Sequence, residues 1–514
     1  MNKVVARCVC VFLAIVFACD FSSAKYSGGT GELDDPYLIA TPNDLNAIGT
    51  EPNDWNKHFK MIADINLSGF TGTQFNIIGS STPYFTGIFD GNGFSIIEFT
   101  YDSNDEDNVG LFGVIDSTEA VVKDLLLVNP SVTVNSGMFS DGGALVGLLI
   151  SGSIMRCKIR GGQVTGYNYP GGLGGLVGFM DNGLIKDCNV TCVVTGKTSV
   201  GGIIGENSGQ IVGCHFDGDV SGRANIGGIA GENDYYIAMC SSSGIVTIVY
   251  STGTRHNAGG LVGENRAKVC FSQSSATVTG GPRMGGLVGF NYFASVYESS
   301  ATGTVYGNNT LGGLVGYNHY SVVTNCYSVG SVSGDRAVGG LIGTNRRGNT
   351  THLIKHCYSA GHVSGNEHVG GLIGYDDSSL GDFEKCFWDQ TINSSLGGIG
   401  NSTDPDVIGQ TTFNMKLRAT YESVGWDFVW ETINGTEDIW AICDNVDYPK
   451  LAWQFVLGNI DGDENVDFKD FSKLAGSWQQ TADSFYCGGV DLSGDGWMDF
   501  FDIAIFVSRW LEGK

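Results

Sequence analysis

Near the C-terminus, Asp491, Ser493, Asp495, Trp497, Asp499 and Asp502 stand at positions 1, 3, 5, 7, 9 and 12 of one twelve-residue stretch, with Gly496 at position 6. Oxygen-bearing side chains at that spacing can fold round a single hard cation. Calcium takes six to eight oxygens at about 2.4 Å, and position 7 supplies only its backbone carbonyl, so a tryptophan is tolerated there. An earlier stretch repeats the arrangement with Asn459, Asp461, Asp463, Asn465 (again through its carbonyl), Asp467 and Asp470. Residues 458–514 carry eleven acidic side chains against four basic ones, so the loops repel themselves until a cation neutralises them. Two calcium sites are expected. The second should be the stronger, because Glu464 occupies the first loop's glycine position and Asn459 replaces an aspartate.

Such oxygens need elements to hold them. Each loop runs into a stretch with apolar residues at helical spacing, 468–478 and 501–511. A duplicated loop and helix with Asp at position 12 resembles the type I dockerin. That resemblance implies a 458–514 module that folds on calcium and docks into a cohesin-like partner. At positions 10 and 11, where dockerins of cellulosomes usually carry recognition hydroxyls, this chain has Phe468-Lys469 and Phe500-Phe501. The usual partner therefore does not follow from the resemblance.

The bulk of the chain has a different logic. Gly-Gly-aliphatic-aliphatic-Gly recurs with its last glycine at 178, 205, 231, 263, 289, 316, 343 and 374, and weaker copies end at Gly113 and Gly147. One supersecondary unit repeated at a base period of about 27 residues is a solenoid signature. Each unit offers three short strand-like pieces, typified by the Gly-Gly-Leu-Val-Gly stretch, Val322 to Ser328, and Ser331 to Ser333, with turn residues between them. The expected fold is an all-β solenoid, a right-handed parallel β-helix of about ten coils, roughly 50 Å long at the ~4.8 Å strand spacing.

In-register stacking places like residues in files. One file is asparagine: Asn207, Asn233, Asn265, Asn291, Asn318 and Asn345, then Asp376. Stacked amides can hydrogen-bond along the axis, and asparagine also tolerates a left-handed turn. The second is Cys157, Cys188, Cys214, Cys240, Cys270, Cys326, Cys357 and Cys386, with Ser299 in the unit that lacks one. Parallel stacking sets Cβ atoms too far apart for disulfides, so buried apolar filling is expected. The aliphatic residue three before each Cys breaks strict alternation and implies a bend or bulge. The units, as in LGGLVGYNHYSVVTNCYSVGSVSG from Leu311 to Gly334, resemble the GLUG motif of secreted bacterial surface and adhesin-like proteins. The resemblance covers about 140–390 and implies a non-catalytic segment.

The ends complete the plan. Residues 1–24 read as a signal peptide, with Lys3 and Arg7 before an apolar run and Ser22-Ser23-Ala24 at the cleavage point. A lipoprotein cleaved before Cys19 is the alternative. Residues 25–110 form an N-terminal cap and first coils, opening with a helix entry at Thr41-Pro42-Asn43-Asp44. The repeat proper spans 111–387. Residues 388–457 bring Trp388, Trp426, Trp430, Trp440 and Trp453, a closing cap by preference, with sugar stacking as the sharper alternative.

A net charge of −26 excludes nucleic acid as a partner. No second apolar run follows residue 24, so no transmembrane helix is expected in the mature chain. Two functions fit. One is a secreted, non-catalytic scaffold or adhesin whose solenoid presents a surface to a polysaccharide or cell-surface ligand. The other is a polysaccharide lyase or glycoside hydrolase carrying a docking module. No recurring carboxylate pair is read on one face, and Asp217, Asp219, Asp376 and Asp377 are taken as solvated, so no catalytic residues are expected. His352, His356, His362 and His368 with Arg346 and Arg347 match no ligand spacing. The aromatics Phe271, Tyr327, Tyr358 and Phe387 are expected to pack rather than stand exposed.

Overall fold

The computed structural model describes residues 25–80, 82–104, 106–135, 140–166, 170–249, 256–346, 353–377, 382–429, 431–455, 466, 468–478, 489, 491–493 and 497–511. The signal-peptide stretch 1–24 lies outside the described residues. Most of the described chain is a parallel β-solenoid of about eleven turns.

One coil shows how the sequence builds it. Strands Asn309–Gly312, Val315–His319, Val322–Thr324, Tyr327–Ser328 and Val332–Ser333 each pair in parallel with their counterparts in the next coil. Leu314, Val315, Val323, Cys326 and Val332 point inward and are fully buried. Each buried aliphatic contributes roughly 1.5–3 kcal/mol, which a lone unit could not collect.

The glycines of the motif are demanded by close approach. A Cβ on Gly285 would lie 2.0 Å from the Val288 carbonyl oxygen, and one on Gly286 would lie 2.1 Å from the Gly313 oxygen in the next coil. The expected second strand is two strands, because the residue before the inward Cys is left-handed: φ is 52° at Arg156, 53° at Asp187, 53° at Asn325 and 49° at His356. That is the bend the broken alternation implied.

The asparagine file is continuous. Nδ2 of each residue donates to Oδ1 of the next: Asn207 to Asn233 at 2.7 Å, Asn233 to Asn265 at 2.7 Å, Asn265 to Asn291 at 2.8 Å, then Asn291 to Asn318 and Asn318 to Asn345 at 3.0 Å each. These asparagines lie within strands, and none is left-handed. The cysteine file needs one correction. Ala238 pairs with Cys270, and Ser272 Oγ accepts the Cys240 N–H at 3.1 Å. Ser272, not Cys270, therefore continues the file, followed by Ser299. Burial pushes the Cys357 and Cys386 thiols well above the ordinary thiol range, as inert filling requires.

At the N-terminal end, Thr41 caps the helix Pro42–Ile48 in a capping box with Asp44. Strands Tyr37–Ile39, His58–Met61 and Ile88–Asp90 stack as coils onto Phe112–Lys123. At the other end the ladders run past residue 387, since Cys386–Asp389 pairs with Val407–Gln410. Residues 411–455 then turn back and lie along the outside of the solenoid. They cover Tyr327, Tyr358 and Phe387 in a cluster with Tyr421, Trp426, Phe428 and Trp440. Tyr327 donates to Gln454 Oε1 at 2.9 Å, and Trp453 Nε1 donates to the Glu298 carbonyl at 2.9 Å. The aromatic file is packed, as expected, but Phe271 is not in it. Instead Gln273, Ser300, Tyr327, Tyr358 and Phe387 align. Trp426 and Trp440 are buried, which removes them as a sugar platform; Trp430 lies outside the described residues.

Candidate functional site

The helices expected after the two loops are Phe468–Gly476 and Phe500–Leu511. They share a small core of Val466, Leu474, Leu492, Met498 and Phe506. Asp470 and Asp502 fall in their first turns, both fully buried. Asp502 Oδ1 accepts N–H bonds from Leu492 at 2.7 Å and Ser493 at 2.9 Å, and its Oδ2 accepts one from Asp499 at 2.7 Å. Ser493 Oγ donates to Asp491 Oδ1 at 3.2 Å, and Asp499 Oδ1 accepts the Phe501 N–H at 2.7 Å. Position 12 is thus tied to the head of its own loop, and the described donors are all oxygens, a set that fits a hard cation. Trp497 is exposed, and its expected contribution is the carbonyl alone. Asn459, Asp461, Asp463, Asn465, Asp467 and Asp495 lie outside the described residues. Among the described residues, no group of three or more His, Cys, Asp or Glu is gathered closely enough to hold a metal.

A second arrangement lies on one long face of the solenoid. The strand residue just before each file asparagine points outward, and these residues stack: Phe179, Glu206, Glu232, Glu264, Phe290, Tyr317, Thr344 and Tyr375 are in register. Seven residues earlier in each coil, at the corner, stands a parallel file of Ser199, Asn225, Asn257, Arg283, Thr310, Ala337 and His368. All but Asn257 have left-handed φ. Two residues after each outward side chain comes a third file, Asp234, Arg266, Tyr292, His319, Arg346 and Asp377. Each coil therefore shows a rung of residues i, i+7 and i+9.

The rungs interlock. Ser199 Oγ and Asn225 Nδ2 both donate to Glu232 Oε1 at 2.7 Å. Asn257 Nδ2 donates to Asn225 Oδ1 at 2.7 Å and to Glu264 Oε2 at 3.1 Å. Arg266 pairs with Glu264 at 2.8 Å, Glu232 at 3.1 Å and Asp234 at 3.4 Å. Beyond them Phe290 stacks on Tyr317 (5.3 Å, 16°) and Tyr292 on His319 (5.3 Å, 5°), with the Arg283 guanidinium 5.2 Å from Phe290 and 4.9 Å from Tyr317. A groove of about 540 Å³ runs between these groups.

The acidic end is electrostatically unusual. Burial pushes the Asp141 carboxyl up to about 7, with the nearby Glu206 charge adding and the Gly172 N–H opposing. Burial also raises Glu206, reinforced by Glu232, and raises Glu264 despite Arg266. A carboxyl that holds its proton near neutrality can act as a general acid, and the aromatic end offers flat apolar surface.

Three stacked glutamates, one per coil, form a carboxylate file on one face that was not singled out among the expected files. The signal was present: Glu206, Glu232 and Glu264 all sit between the motif's last glycine and its asparagine. Asp376 and Asp377 end the strand Glu367–Asp377, and Asp377 is exposed. Asp217 is a surface partner of Ser243 at 2.7 Å. The histidines do not converge. His356 is buried, stacks on Trp426 and is lowered to about 4, chiefly by burial. His368 lies beside Tyr375 on the other face, and His362 is exposed; His352 and Arg347 lie outside the described residues. Cys443 is disulfide-bonded, a link not foreseen in the sequence. No helix among the described residues is long and apolar enough to cross a membrane.

Comparison with known proteins bears on the repeat. The GLUG motif matches residues 280–306 and 307–333, one coil each. Halomucin of Haloquadratum walsbyi is 33% identical over 184 residues, 35% of this chain and 2% of that protein. A protein provisionally described as a Gly-rich membrane protein, from Evansella cellulosilytica, is 30% identical over 192 residues, 36% of this chain and 21% of that protein. The chain thus spans a small part of the curated relatives it matches. A solved structure, provisionally described as an immunoglobulin A1 protease of Bacteroides ovatus, aligns with 83% of this chain and 95% of that one at 16% identity and a TM-score of 0.35. A likeness that slight carries no argument about activity.

Proposed function

We propose that this GLUG-repeat β-helix is an extracellular, non-catalytic binding scaffold that lays a linear glycan along its three-file face and docks through a calcium-folded C-terminal module. The observation that carries the reading is the face itself. A groove of fixed rung spacing, with hydrogen-bonding acids at one end and stacked rings at the other, matches a polymer of repeating polar and apolar surfaces. The hydrogen-bonded asparagine file and the lateral cap stiffen the rod, so the groove is formed before ligand arrives.

Export fits the Cys443 disulfide, since such bonds persist in oxidising compartments. Cleavage near Ala24 would release the chain, and Cys19 would anchor it instead. In the C-terminal module, Asn459, Asp461, Asp463, Asn465, Asp467 and Asp470 would hold one calcium, and Asp491, Ser493, Asp495, Trp497, Asp499 and Asp502 the other. Phe468, Phe500 and Phe501 stand 72%, 75% and 69% exposed. Large aromatics so placed on a small module favour protein docking, to a cohesin-like domain or another surface partner.

One observation favours the second reading, a polysaccharide-degrading enzyme: the half-buried Asp141 and Glu206 and the buried Glu264 have raised proton affinity on the glycan-facing side. A polysaccharide panel assayed for both retention and product release separates the two. Retention without new reducing ends or unsaturated products is expected. Product release abolished by Glu206→Gln would replace the scaffold reading with the enzyme.

A further inference from the structure

Resting on that glycan-binding reading, we propose that the groove between rungs Asn257 and Arg346 is a subsite for a carboxylate-bearing sugar unit. Three arginines reach it, Arg266, Arg283 and Arg346, in a chain with only 28 lysines and arginines among 514 residues. Their states differ. Arg266 is spent on Glu264, Glu232 and Asp234 and holds the wall. Arg283 lies over Phe290 and Tyr317; a guanidinium resting on rings is weakly hydrated and fits a planar carboxylate with its fork of N–H donors. Arg346 meets Asp377 at 3.5 Å, with both side chains about half exposed. Such a surface pair is readily exchanged for a ligand carboxylate.

An independent observation points to a hydroxyl-bearing ligand. Asn257 is 3% exposed and lines the same groove, yet its Oδ1 has no hydrogen-bond partner among the described residues. Its Nδ2 is already engaged by Asn225 and Glu264. An orphaned buried acceptor is costly, and a sugar hydroxyl donor would offset that cost. The stacked pairs Phe290–Tyr317 and Tyr292–His319 supply apolar surface for the ring carbons. The overall charge of −26 does not forbid an anion. At physiological ionic strength, fields are screened over about 8 Å, so the balance of arginines and carboxylates at the groove itself decides.

The test titrates the full chain with oligogalacturonides, and with cello-oligosaccharides of equal length as neutral probes. The expected result is at least about tenfold tighter binding of the acidic oligomer, weakening with salt. Arg283→Gln and Arg346→Gln should each lower it about tenfold, whereas Asp217→Asn on another face should not. If both arginine variants bind undiminished, or neutral oligomers bind as well as acidic ones, the subsite assignment is overturned while glycan binding stands. If no glycan of any charge is retained, both fall.

Discussion

Asn345 donates its Nδ2 hydrogen to Asp376 Oδ1 at 2.9 Å, closing a file in which every amide from Asn207 onward donates in the same direction. The file ends on a carboxylate. There Asn401 takes over, accepting the Asp376 N–H and donating to its carbonyl, each at 2.8 Å. Aligned amide dipoles strengthen one another in a low-dielectric interior, so the file acts as a polar spine beside the aliphatic core. Its members can be tested one at a time.

Asn265 is fully buried between Asn233 and Asn291. Asn265→Leu leaves a donor above and an acceptor below unsatisfied, at about 1–3 kcal/mol each. Because long repeat arrays need not unfold as one unit, the measurement is hydrogen exchange resolved along the chain. Protection should fall most in the coils carrying 233 and 291, and little near Tyr37–Ile39.

Asp141 gives stability a pH dependence of unusual sign. Its folded-state value of about 7 lies above the ordinary aspartate value, so the folded state binds the extra proton. The stabilisation is therefore present at low pH and is lost as pH rises from about 4 to about 7. One unit corresponds to about 1.4 kcal/mol, so with its partial exposure the effect is on the order of 2 kcal/mol. Thermal unfolding should show the coils around 141–206 more stable at pH 5 than at pH 8. Asp141→Asn keeps the acceptor for Gly172 and should flatten that slope.

Trp440 belongs to the returning segment and is buried against the solenoid, with its ring centroid 4.7 Å from that of Trp426. Trp440→Ala should cost about 3–5 kcal/mol locally and loosen 411–455 from the rod. Limited proteolysis should then cut within that segment while the coils before Gly374 stay intact.

Calcium should raise the melting temperature of the last 57 residues, a span read directly from the loop spacing. Asp491→Asn retains an oxygen but loses a charge, so calorimetry should show about tenfold weaker binding at one site with little change without metal. Asp502→Ala is the harsher variant, since it also orphans three N–H groups.

The stacking plan was legible because close approach leaves its mark in residue type. Gly285 and Gly286 have no room for a Cβ, so each recurrence of the motif announces a coil. Thr41 as a helix cap was legible for the same kind of reason, a local bond between side chain and backbone. The three-file face was less so, because it arises from spacing across coils. Glu206, Glu232 and Glu264 keep the motif's phase in the sequence, but only the parallel register shows which groups of neighbouring coils they meet. The Cys270 error has a related cause: one coil shifts its inward residue from Cys270 to Ser272, and only pairing reveals which residue faces the core. The return of 411–455 over Tyr358 is long-range packing that leaves no periodic trace.

In-phase stacking of successive coils is the claim beneath all the rest, and a distance between two labels on one file tests it most directly. Asp234 and Asp377 stand exposed in the same outward file, five rungs apart. With cysteine-attached spin labels at both, pulsed dipolar spectroscopy should give one narrow distribution centred at roughly 24 Å, five strand spacings. A broad distribution, or a mean beyond about 40 Å, would contradict stacking in register.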